Sequence, residues 1–162
     1  MDLDFALLRR PHWLMGGGGV ALFIFTFFFK WFGVSVSTSV GGASYGFNLG
    51  VDAWHSLAHT RWLLLLTILA ALLAAGAQAS WREPSLPVPA SAIVALSAGL
   101  SAIFVLYRIV NHPSVDVSYG STSLHYGAEL GLYLGFVACL VVAYGAFEEL
   151  WGAVAGSSRR AA

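Results

Sequence analysis

Four long stretches of this chain are almost wholly apolar, and its polar residues gather in the segments between them. The stretches are 13–34 ("WLMGGGGVALFIFTFFFKWFGV"), 57–79, 90–110 and 124–147 ("LHYGAELGLYLGFVACLVVAYGAF"). A helix needs roughly 20 apolar residues to cross the hydrocarbon of a bilayer, so each stretch is long enough to span once. The pattern predicts an all-α membrane protein, a bundle of four transmembrane helices forming one membrane domain over 1–162. Outer loops are expected at 35–56 and 111–123, an inner loop at 80–89 and an inner tail at 148–162.

The loops differ in character. The first, "SVSTSVGGASYGFNLG", is rich in Ser and Gly, with a period-2 alternation that allows a short hairpin. "SWREPSLPVP" reads as a tight, proline-stopped turn, and "NHPSVDVSYGSTS" as a second polar loop. Arg9, Arg10, Arg82, Arg159 and Arg160 fall on one side, against Lys30, Arg61 and Arg108 on the other. That asymmetry predicts both termini inside. Asp2 and Asp4 before the first span, with no small-x-small site after it, predict a retained anchor and not a cleaved signal.

Composition agrees with a lipid solvent. Of 162 residues, 58% are hydrophobic and only 10% charged, with a mean hydropathy of +0.76. Soluble domains carry about a quarter charged residues. Eight basic and eight acidic side chains balance, and no basic run points to nucleic acid. The single cysteine, Cys139, excludes an intramolecular disulfide and a CxxC motif.

Small residues mark helix contacts. Gly127, Gly131, Gly135, Cys139 and Ala143 repeat at i+4, a ridge expected to receive a neighbouring helix such as the third, with Ser91, Ala95 and Gly99. Ala71, Ala75 and Ala79 repeat the spacing in the second span. The run of four glycines at 16–19 is expected either to pack on another helix or to form a flexible entry.

Candidate chemistry concentrates at the outer ends. "VDAWHSLAHTRW" places Asp52, His55 and His59 at i, i+3 and i+7, on one face of a helix. With 124–147 helical, His125, Glu129 and Tyr133 form a second stripe at similar depth, and an acid there is expensive unless paired or functional. Asp52, His55, His59, His125 and Glu129 are therefore a candidate divalent-metal site with nitrogen and oxygen ligands. His59 with His125 is alternatively a b-type haem pair. Against these stands a structural reading. Asp52 caps a helix, Trp54 and Trp62 are interfacial anchors, and Glu129 forms a buried ion pair with Arg108.

"VLYRIVNHP" at 105–113, followed by "YGAELGLYLGFVA", resembles a family of small four-pass integral membrane proteins of actinobacteria that has no established activity. The resemblance covers 48–146, with Tyr107, Arg108 and Pro113 as its recognisable part. It implies a multipass membrane location. The expected function is a non-catalytic accessory or scaffolding subunit of the bacterial cytoplasmic membrane, with a membrane-protein partner or a second copy beside the lipid bilayer and with no cofactor. The alternatives are a metal- or haem-binding membrane protein and a small oligomeric transporter or channel that uses Glu129.

Overall fold

The computed structural model describes residues 9–57, 60–79, 89–111, 115–120 and 122–160. Its elements run α1 (Arg10–Phe28), β1 (Lys30–Val40), β2 (Ala43–Asp52), α2 (Ala53–Ser56), α3 (Thr60–Ala79), α4 (Ala90–Val110), β3 (Val115–Tyr119), β4 (Thr122–Ala128) and α5 (Leu130–Arg160). Helices α1, α3, α4 and α5 are long and apolar enough to cross a membrane. The chain is an integral membrane protein.

The all-α expectation is overturned. Five helices share the fold with a four-stranded antiparallel sheet of order β2-β1-β4-β3. The first span ends at Phe28, and residues 30–34 begin a strand. The fourth helix starts at Leu130, not at 124, because Thr122–Ala128 is strand β4. It then continues to Arg160 through the segment expected as a tail. The long first loop is a single hairpin turning at Gly41 and Gly42, both at positive φ. A second hairpin turns at Gly120.

The four long helices form a ring in which α1 packs on α5 and α3, and α4 packs on α5 and α3. The glycines at 16–19 serve this ring one by one. A Cβ at Gly18 would stand 2.7 Å from Val142 Cγ2 of α5, and one at Gly16 or Gly19 would stand 3.1 Å from Ala75 or Ala71 of α3. Gly17, with open space before it, points away from both. Between α3 and α4, Thr67 Oγ1 and Ser101 Oγ share a buried hydrogen bond of 2.9 Å.

Strands β1 and β4 leave the bundle almost without a break: only Phe29 separates α1 from β1, and only Glu129 separates β4 from α5. The joint is set by a bulge. Lys30 faces Asp52 while Phe32 faces Val51, so Trp31 is the extra residue. A bulge re-aims its side chain, and the Trp31 indole packs, fully buried, on α5 at Gly131 and Gly135. Its Nε1–H donates to the Phe25 carbonyl at 2.7 Å. That oxygen lies in the last turn of α1, where carbonyls lack helical partners. The expected helix-on-helix ridge is thus corrected: Gly127 lies on β4, and Gly131 with Gly135 is a notch for an indole.

Candidate functional site: an amphipathic sheet beside the membrane

Strand alternation sorts the sheet into two faces. Cross-strand register puts Phe32, Val34 and Val36 of β1 with Phe47 and Leu49 of β2, and with Leu124 and Tyr126 of β4. Val117 of β3 and Tyr45 of β2 extend the same face. The opposite face holds Ser35, Ser37, Asn48, Ser123, His125 and Asp116. On that side Ser37 and Ser123 share a hydrogen bond of 2.7 Å.

At its root the apolar face is part of the core. Phe32 is buried, stacks on Tyr126 at 6.1 Å between ring centroids, and joins Val105 and Ile109 of α4. Towards the hairpin tips no described residue covers it. Tyr45 is 66% exposed, Phe47 60%, Leu49 63% and Val117 52%. At roughly 200 Å² for a full large side chain, these four with Val51 and Leu124 leave on the order of 600 Å² of apolar face open. The largest patch on an ordinary monomer is about 300–600 Å², and a stable interface takes about 800 Å² from each partner. No charged residue falls on this face among the described residues.

The two edges are unlike. β3 is five residues long and carries Asp116. β2 runs ten residues with no Lys or Pro and no acid before Asp52. Long, uncharged edges of this kind are open to pairing with another strand.

The candidate metal ligands are not gathered into one set. Asp52 caps α2, accepting from the His55 amide at 2.9 Å, and its Oδ1 also meets His55 Nδ1 at 2.7 Å. His125 is on β4, paired with Asp116 across the hairpin. Ser35 of β1 faces both His125 and Asn48, so His125 sits four residues along from Asp52, about 13 Å, and two strands across. His59 lies outside the described residues. Among the described residues no group of three or more His, Cys, Asp or Glu side chains converges on a point a metal could occupy.

Nor does an ion pair join Arg108 to Glu129 among the described residues. The reason is strand geometry. The Arg108 guanidinium lies 5.6 Å from the Phe32 ring, on the apolar side of β1. The Glu129 side chain lies against Gly33, where an added Cβ would come within 3.0 Å of its Cγ. Neighbouring residues of a strand point to opposite faces, so β1 stands between the two charges. Glu129 is not a helical residue within a span but the junction between β4 and α5, its amide donating to the Trp31 carbonyl at 2.9 Å. The stripe His125–Glu129–Tyr133 therefore does not exist as a helix face.

Sequence reasoning passed over a polar contact at the far end of the bundle. His12 of α1 is buried, with Nε2 3.5 Å from Glu149 of α5. Its Nδ1 and the Oε2 of Glu148 are buried without hydrogen-bond partners among the described residues. The close approach of α1 to Gly145, one turn before Glu149, brings the two together, and no sequence spacing pairs them.

Comparison with protein-family models, with curated proteins and with solved structures gives no match.

Proposed function

We propose that the protein is a non-catalytic accessory or scaffolding subunit of a bacterial cytoplasmic membrane, with both helical-bundle termini inside and the sheet outside. Four spans hold it in the bilayer, and the apolar face of the sheet receives a partner protein beside the membrane. The observation that carries this reading is the open, uncharged apolar face continuous with the core through Phe32 and Tyr126. A surface of that size and composition costs solubility unless something covers it. Its rigid attachment, through the Trp31 lock and two one-residue joints, holds the face at a fixed position above the spans.

Substituting Phe47→Asp with Leu49→Asp tests it. Each adds a charge to the face while leaving the backbone pairing of β2 with β1 in place. In membranes solubilised with mild detergent, wild-type protein is expected to migrate on a native gel as a complex larger than the micelle-bound monomer. The double variant is expected at monomer size. Equal migration of both would overturn the docking assignment.

A further inference from the structure

The sheet end of the bundle holds three acids among the described residues, and each is already placed. Asp52 is held by His55 and the α2 cap, and Asp116 by His125. Glu129 lies over Gly33, directly across the ladder from Gly50, over which the Lys30 side chain lies. The two arginines at this end are placed differently. Arg61 bonds only weakly to the Trp54 carbonyl, at 3.5 Å, and its guanidinium sits 5.3 Å and 5.5 Å from the Trp54 and Trp62 rings. Arg108 lies over Phe32. Among the described residues both carry a buried Nε without a partner, and neither has a carboxylate within ion-pair distance.

They also stand at one height. The Thr67–Ser101 hydrogen bond fixes the register of α3 against α4. Arg61 is six residues from Thr67 towards the sheet and Arg108 seven from Ser101, each about 10 Å along its helix. That height is where the spans end and the sheet begins, bracketed by Trp54 and Trp62, residue types that favour the headgroup layer. A guanidinium in this layer is matched by phosphate oxygens, which it binds through two parallel N–H groups.

We infer that Arg61 and Arg108 each bind the phosphate of an anionic phospholipid in the leaflet on the sheet side. The charge on the lipid completes what the fold leaves open: Asp52 and Asp116 are paired with histidines, and β1 bars Glu129 from Arg108. The site touches the apolar face only at its buried root, where Arg108 lies over Phe32, and stands apart from the exposed tip at Tyr45, Phe47 and Leu49, so its occupancy does not depend on a docked protein.

The test is native mass spectrometry of the detergent-purified full chain, titrated with phosphatidylglycerol or with phosphatidylcholine of the same acyl chains. Wild-type protein is expected to retain the anionic lipid preferentially, by about fivefold for each arginine. Arg61→Gln with Arg108→Gln is expected to bring the two lipids to near-equal retention, while Arg9→Gln with Arg10→Gln at the opposite end leaves the preference in place. With Trp13, Trp81 and Trp151 replaced by Phe and both arginines intact, quenching of the remaining tryptophan fluorescence by brominated phosphatidylglycerol, more strongly than by brominated phosphatidylcholine, reads the layer of Trp54 and Trp62 without altering the site. Equal retention by the wild type, or a preference that survives in the Arg61/Arg108 variant, overturns the inference. So does displacement of the lipid by millimolar inorganic phosphate, which would mark a free-anion site.

Discussion

Removing the Trp31 indole should loosen the joint between membrane and sheet more than any other single change at that level. The side chain is fully buried, and its N–H satisfies the Phe25 carbonyl at 2.7 Å. Truncating a buried tryptophan to alanine costs about 3–5 kcal/mol through lost contacts and the cavity left behind. Trp31→Phe keeps much of the packing but strands the carbonyl, for about 1–2 kcal/mol. The notch gives a sharper test. A Cβ on Gly135 would stand 2.6 Å from Trp31 Cη2, so Gly135→Ala overpacks the site and should cost about 2 kcal/mol. In a Trp31→Ala background the same methyl enters vacated space, and its cost should fall to near zero. The coupling energy of the cycle is then about 2 kcal/mol. Reversible SDS unfolding in mixed micelles, followed by far-UV circular dichroism, measures all four proteins. Costs that add to within about 0.5 kcal/mol, the range expected of independent sites, would refute the packing of the indole in the glycine notch.

Three further outcomes follow from named contacts. Gly18→Ala should destabilise by about 1–3 kcal/mol by the same unfolding assay, because its methyl meets Val142, while Gly17→Ala, facing open space, should be neutral or slightly stabilising. A Thr67→Val/Ser101→Ala cycle should show a coupling of about 0.6 kcal/mol, the usual worth of an interhelical hydrogen bond in a membrane protein. Asp52→Ala removes the cap of α2 and should cost about 1 kcal/mol in thermal stability; Asp52→Asn, which keeps the capping oxygen, should recover most of it.

The four spans were legible because length and hydropathy alone define a crossing, and α3 and α4 end within three residues of the apolar runs that announced them. The strands were harder to see where they abut the spans. Phe28, Phe29, Trp31 and Phe32 are apolar whether the backbone is helical or extended, so composition could not place the end of α1. Across β4 and the start of α5, the glycines at 127, 131 and 135 imitate a helical ridge, while on β4 Leu124, Tyr126 and Ala128 alternate with His125 and Gly127 at period 2. The second pattern was the physical one. With "VDVSY" before it and Gly120 between, it is a hairpin signal as strong as the one in the first loop. Reading 124–129 as helix also brought His125 and Glu129 onto one face and created a ligand stripe. As strand and junction, the two residues part, His125 to Asp116 and Glu129 to Gly33. The apolar face of the sheet escaped notice for the same reason, since it exists only once four separate alternations are brought into register.

The most direct measurement of docking is labelling with a membrane-impermeant maleimide in intact cells and again after purification, comparing Leu49→Cys with Asn48→Cys. The two positions are neighbours on β2 but lie on opposite faces, and the native Cys139 is buried and serves as the blank. A partner on the apolar face predicts that the Leu49→Cys variant is protected in cells and reactive once purified as a monomer, while the Asn48→Cys variant reacts in both. Equal reactivity of the two variants in cells would contradict a covered face and with it the role as a docking subunit.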